Sequence, residues 1–150
     1  MIATDGSEHT EKAIKHAIEL AKLTGAQLHA VYVISIISPP ENLDIKTDYE
    51  TELSVSVDAS MEGLKKILEL DGDKAIRSIE EQAAIKGVNV RKWILEGQSA
   101  KEILRLAEEQ SFDLIVMGTL GRSGIEKFLL GSVADKVIRG SNIPVLTVRK

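Results

Sequence analysis

Phe112-Asp113-Leu114-Ile115-Val116-Met117-Gly118 is the stretch on which the fold turns. After Asp113 it is apolar throughout, the composition of a strand covered on both faces rather than of one alternating between core and water. Both flanks have helical spacing. Upstream, Ser99 and Glu102 read as a capping box ahead of a buried face of Ile103, Leu104 and Ala107. Downstream, a glycine-rich loop leads to a helix that starts near Ser132, with Asp135 three residues on, and ends at Gly140. A doubly covered strand between two helices belongs to a parallel sheet built from βαβ units.

The same alternation extends to both ends of the chain. Met1 to Thr4 is a stub of a first strand, and Asp5, Gly6 and Ser7 form a turn with Ser7 placed as a helix N-cap. The first helix carries Ile14, Ala17, Ile18 and Ala21 on one stripe, and Gly25 closes it. Strand two runs from Gln27 to Ile34. Strand three, Val88 to Leu95, mixes Asn89, Arg91 and Lys92 with apolar residues, as a half-exposed edge strand does. Strand five, Ile143 to Val148, contains Pro144, which also favours an edge. Met61, Leu64, Leu68, Gly72, Ala75, Ile79 and Ala83 keep one 3.6-residue phase, so the spacing predicts a single long helix that continues through Gly72. Between Ser35 and Val57 the pattern fails around Pro39 and Pro40, and a long loop is expected there, acting as a lid or a partner contact. The expectation is one doubly wound, Rossmann-like α/β domain over residues 1–150 with a five-stranded parallel sheet.

Composition narrows the function classes. The net charge is −4 and aromatic residues make up 3% of the chain, which argues against sequence-independent nucleic-acid binding. No apolar run is long enough for a membrane span and no secretory signal is evident, so a cytoplasmic location is expected. Zero cysteines exclude disulfides and thiolate metal sites. His9, His16 and His29 form no metal-spaced pair, His16 and His29 reading as surface or packing residues and His9, in the first turn of helix one, as able to approach a nucleotide but facing solvent.

The chemistry lies just beyond the decisive strand. Gly118, Gly121, Gly131 and Ser132 stand in the pattern G-x2-G-x9-G-S between a strand end and a helix start. Glycines let backbone approach phosphate oxygens, and the free N–H groups and positive dipole end of the last helix attract anionic charge. Arg122 and Lys127 lie within the loop and are candidates for phosphate pairing. There is no Walker A motif, and Thr4-Asp5-Gly6-Ser7 is not the S-G-G-x-D-S of ATP pyrophosphatases.

With these residues, and with Ala3-Thr4-Asp5-Gly6-Ser7-Glu8, Val31-Tyr32-Val33-Ile34 and Ser141-Asn142-Ile143-Pro144-Val145-Leu146-Thr147-Val148, the chain resembles the universal stress protein family over nearly its whole length. It is most similar to the ATP-binding branch, whose signature is G-x2-G-x9-G-[ST]. The resemblance implies strand order 3-2-1-4-5, with the ends of strands one and four, Asp5 and Gly118, side by side where ligands of open α/β sheets bind. It also implies roles. Ala3, Thr4, Asp5 and the backbone of Val33 would line the adenosine end. Met117, Gly118 and Gly121 would surround the ribose and first phosphates, and Gly131, Ser132 and Val133 would hold the outer phosphates, with Mg²⁺ or Mn²⁺ riding on them. Two departures stand out: the first strand is short, and Ser35 occupies a position where many members carry Asp. The expected function is an ATP-binding regulatory module in a stress response, with a protein partner of unknown identity and a homodimer paired through strand five (143–148). The alternatives are a slow ATP hydrolase or phosphotransferase, for which no catalytic residues stand out, and a structural dimer without nucleotide.

Overall fold

The computed structural model describes residues 1–35, 50–120 and 130–149, with the helical backbone alone described for 50–61. Five parallel strands form one sheet in the order β3-β2-β1-β4-β5. They are β1 (Ile2–Thr4), β2 (Leu28–Ile34), β3 (Val90–Glu96), β4 (Ile115–Gly118) and β5 (Val145–Val148). The connecting helices are α1 (Glu11–Thr24), α2 (Glu50–Ile85), α3 (Ser99–Glu109) and α4 (Ser132–Gly140), with a short 3-10 turn at Glu8–Thr10. Every residue of β4 is buried, as its unbroken apolar run predicts.

The period-2 geometry of the strands sorts their side chains between two cores. Ile2, Ala30, Tyr32, Ile34 and Val116 pack with α1 and α2 on one face. Ala3, Val31, Ile115 and Met117 pack with α3 and α4 on the other. In α1 the stripe Ile14, Ala17, Ile18 and Ala21 is buried, and Gly25 ends the helix at φ 69°. Helix α2 is continuous over 36 residues and passes through Gly72 without a break. Its buried face is narrower than the sequence stripe, because Leu64 is 46% exposed and packing is first seen at Leu68. The loop expected from Ser35 to Val57 is shorter, since α2 already begins at Glu50. Its remainder, 36–49, lies outside the described residues.

β3 and β4 begin later than the apolar pattern suggests, and for a common reason. Val88 N–H donates to Ala83 O at 2.9 Å and Phe112 N–H donates to Ala107 O at 2.9 Å, so the first apolar residue after each helix serves that helix's end rather than the ladder. Gly87 (φ 71°) and Ser111 (φ 51°) supply the left-handed turns that allow this. The capping boxes are not formed: Ser99 and Ser132 are already helical, and neither α3 nor α4 has a side-chain cap bond. Glu102 pairs with Arg105 at 2.7 Å and Asp135 with Arg139 at 2.9 Å instead. Ser7 likewise makes no side-chain cap bond.

His29 is a packing residue, 9% exposed on β2. Its Nδ1 accepts a hydrogen bond from Trp93 Nε1–H at 3.0 Å, and its ring meets Phe112 at a centroid distance of 4.6 Å. Burial, followed by nearby positive charge including Arg91, holds its pKa below the ordinary 6.5. Protonating Nδ1 would also remove the acceptor that Trp93 needs. A depressed folded-state pKa means that the unfolded chain binds the proton more readily. The associated stability is therefore fully present above the unfolded-state value of about 6.5 and is lost as pH falls below it through the lower folded-state pKa. Urea unfolding followed by Trp93, the chain's single tryptophan, is expected to show a lower unfolding free energy at pH 5.5 than at pH 7.5, and His29→Gln is expected to flatten that slope. An equal pH slope in both proteins would remove His29 as its source.

Candidate functional site

The sheet reverses its winding between β1 and β4. Ile2 pairs with Val116 and Ala3 with Met117, so the chain leaves both strands at the same edge, and Thr4-Asp5 comes to lie beside Gly118. A cleft of about 360 Å³ opens there, within the range of small-molecule sites. It collects the predicted residues from four separate segments. Ala3, Thr4 and Asp5 come from the end of β1, Val33 from β2, Met117 and Gly118 from β4, and Gly131, Ser132 and Val133 from the start of α4. Gly121, Arg122 and Lys127 lie outside the described residues.

The turn after β1 is held by a chain of hydroxyls. Gly6 N–H donates to Thr4 Oγ1 at 3.1 Å, and Thr10 Oγ1–H donates to Ser7 O at 2.8 Å. Thr4 Oγ1 and Thr10 Oγ1 are 3.0 Å apart, and since the single proton of Thr10 is already given to Ser7, Thr4 is the donor between them. Ser7 N–H donates to Asp5 Oδ1 at 3.0 Å, so the carboxylate of Asp5 both braces its own turn and borders the cleft. Thr4 and Thr10 are buried, which makes the chain a rigid floor. In the same turn His9 Nδ1 and Ser7 Oγ are buried without a hydrogen-bond partner among the described residues, so His9 does not simply face solvent.

Two glycines of the motif differ in what they do. A Cβ on Gly118 would lie 3.1 Å from His9 O and 3.3 Å from both Leu120 O and Thr10 Cγ2. Glycine relieves that crowding where the 3-10 turn approaches β4. Gly131 is the N-cap of α4 at φ −61°, ψ 148°, a conformation open to any residue. Its N–H donates to Thr119 O at 2.7 Å, which ties the start of α4 to the residue after β4. The amides left for an anion are those at the first helical positions, Ser132, Val133 and Ala134, which have no intrahelical acceptor and belong to residues lining the cleft.

Sequence reasoning missed Thr10, Ser99, Ile103, Thr119 and Leu120, all of which line the cleft. Ser35, noted only as a departure, also lines it and shares a hydrogen bond with Ser99, with the two Oγ atoms 2.8 Å apart. Asp5 is the only Asp, Glu, His, Lys or Arg among the described lining residues. Among the described residues no group of three or more His, Asp or Glu side chains could hold a metal ion. No described helix is long and apolar enough to cross a membrane.

Comparison with known proteins agrees with this geometry. A family model described as the universal stress protein family matches residues 1–149. Universal stress protein MJ0531 of Methanocaldococcus jannaschii is 37% identical over 150 residues, spanning 100% of this chain and 81% of that one. The solved structure of MJ0577, also from Methanocaldococcus jannaschii, superposes with a TM-score of 0.78 at 30% identity, covering 99% of this chain and 94% of that chain. A universal stress protein from Archaeoglobus fulgidus, solved in complex with dAMP, has the same fold at a TM-score of 0.60 and 21% identity, over 99% of this chain and 94% of that one.

Proposed function

Since the chain belongs to the universal stress protein family, we propose that it is an ATP-binding regulatory module that holds the nucleotide in the cleft between β1, β2 and β4. The observation that carries this reading is the meeting of Asp5 and Gly118 at the reversal of the sheet, with the free amides of the α4 N-terminus opening on the same space. Ser132 and Val133 would hold the outer phosphates through those amides, with Gly131 leaving room for them. Met117 and Gly118 would border the ribose, and Ala3, Thr4, Asp5 and Val33 the nucleoside. Mg²⁺ or Mn²⁺ would ride on the phosphates, because the described lining offers one carboxylate and that one already braces a turn. The dAMP complex of the Archaeoglobus fulgidus protein makes a nucleotide the natural class to test.

The arrangement favours holding ATP over cleaving it. Phosphoryl transfer needs a group to position the nucleophile, and the described lining contains no histidine and no carboxylate besides Asp5. Calorimetry on nucleotide-free protein with Mg²⁺ is expected to show saturable ATP binding. Absence of heat at millimolar ATP would overturn the reading. We further propose that two copies pair along β5, an outer strand of the sheet on which Leu146 is 36% exposed. Light scattering at micromolar concentration should give twice the chain mass, and a monomer mass would refute it.

A further inference from the structure

Thr10 stands at the N-cap of α1, yet its side chain makes no cap bond to that helix. A threonine in this place ordinarily accepts a hydrogen bond from an amide of the first turn. Here the side chain turns back instead. Its hydroxyl donates to Ser7 O at 2.8 Å and accepts from Thr4 Oγ1, 3.0 Å away, which in turn accepts from Gly6 N–H at 3.1 Å. Its methyl carbon meets the other strand: Thr10 Cγ2 lies 3.3 Å from where a Cβ on Gly118 would stand. One side chain, 4% exposed, thereby touches both strand ends that frame the cleft, and it lines the cleft itself.

Close packing does not hold the turn after β1. A second cavity, of about 350 Å³, adjoins it and is lined by Thr4, Gly6, Ser7 and Thr10, with Asp71 and Lys74 of α2 also in the lining. Thr4 and Thr10 line both cavities, so their hydroxyl pair is part of the wall between them. With space on either side, hydrogen bonds rather than interlocking side chains fix residues 4–7. Ser7 Oγ and His9 Nδ1 are buried without a partner among the described residues and add nothing to that hold. The bond from Ser7 N–H to Asp5 Oδ1 is internal to the turn. The hydroxyl of Thr10 is what ties the turn to the start of α1, and its methyl sets that tie against β4.

We infer that Thr10 is a positioning residue, whose hydroxyl fixes the Thr4-Asp5 end of the cleft relative to Gly118 before a nucleotide arrives. Without the hydroxyl, Thr4 loses its acceptor and Ser7 O loses a donor. The turn must then be ordered as the ligand binds, and affinity falls by the cost of that ordering. This rests on the nucleotide reading above, and the test separates the two. Substitutions at position 10 part the hydroxyl from the methyl: threonine has both, serine the hydroxyl alone, valine only methyl groups, and alanine neither. ATP with Mg²⁺ is titrated calorimetrically into the whole chain carrying each. Thr10→Ser is expected to bind within about threefold of wild type, whereas Thr10→Val and Thr10→Ala are expected to bind roughly tenfold more weakly, the scale of one hydrogen bond. Alanine adds no bulk, so the test does not depend on valine being accommodated. The number of sites per chain reports the folded fraction and Kd reports the site, so a merely structural role lowers the first and leaves the second unchanged. If Thr10→Ser is weakened as much as Thr10→Ala, the methyl contact with Gly118 does the positioning, and the inference fails while the nucleotide reading stands. Valine and alanine variants within about threefold of wild type, less than one hydrogen bond, have the same consequence. If wild type binds no ATP, the nucleotide reading itself fails and this inference goes with it.

Discussion

Replacing Gly131 with valine is expected to weaken ATP binding at least about a hundredfold, a loss of roughly 2.7 kcal/mol of binding free energy. The fold should survive it. Gly131 sits at φ −61°, ψ 148°, in the extended region open to β-branched residues, so valine meets no backbone strain. Its N–H bond to Thr119 O at 2.7 Å is made by the main chain and persists in the variant. The stability cost is that of a poorer N-cap residue, about 1 kcal/mol. Binding suffers because two methyl groups are added at the mouth of α4, beside the amides of Ser132 and Val133 that an anion would use. Gly131→Ala should lie between wild type and valine in affinity. The measurement is ATP calorimetry paired with urea unfolding. Unchanged affinity in a folded Gly131→Val protein would show that phosphates do not approach α4, and the outer-phosphate role given to Ser132 and Val133 would go with it.

How much of this was legible in the sequence depends on the range of the interaction that decides each feature. The buried strand β4 and the α1 stripe were legible because burial on a strand or helix is written into the residues of that element. Continuity of α2 was legible because the apolar phase runs unbroken past Gly72. The starts of β3 and β4 were not, because a carbonyl five residues back, in Ala83 or Ala107, captures the first apolar N–H after the helix. The capping boxes misled because Ser-x-x-Glu and Ser-x-x-Asp are equally satisfied by other partners. Ser99 turns to Ser35, 64 residues away in sequence, while Glu102 and Asp135 find arginines on their own helices. The site followed the same rule. Gly131, Ser132 and Asp5 announce themselves through local turn chemistry. Thr10 reaches the site through its hydroxyl bond to Thr4, and Ser35 and Ser99 meet through the closure of two βα units, which no periodicity records. Gly118, singled out for phosphate approach, has a packing reason to be glycine that was not foreseen: His9 O and Thr10 Cγ2 crowd the space a Cβ would take.

Gly72 raises the opposite question, since a glycine in the interior of a long helix costs about 1 kcal/mol relative to alanine. What repays that cost is Tyr32. A Cβ at position 72 would lie 2.8 Å from Tyr32 Cδ1 and 3.1 Å from Cε1, well inside contact distance, and the ring is only 3% exposed in the core between α2 and the sheet. Neither partner can give way cheaply, because an aromatic ring has no flexible end to move and α2 is fixed further along by Ile76, Ile79 and Ala83. Gly72→Val is therefore expected to destabilise the fold by about 3 kcal/mol, the upper part of the usual range for overpacking. For Gly72→Ala the helix gain of ~1 kcal/mol opposes a clash of ~1–3 kcal/mol, leaving a net loss of about 1 kcal/mol. The effect should also reach the cleft, since Tyr32 lines it and a displaced ring alters the wall beside β2. A Gly72→Ala/Tyr32→Val pair, in which the ring is removed, should cost less than the sum of its single substitutions, as expected for residues in contact. Urea unfolding of the three variants decides the matter. If Gly72→Ala proves more stable than wild type, helix propensity outweighs the Tyr32 contact and the close approach of α2 to the sheet is not what selects glycine.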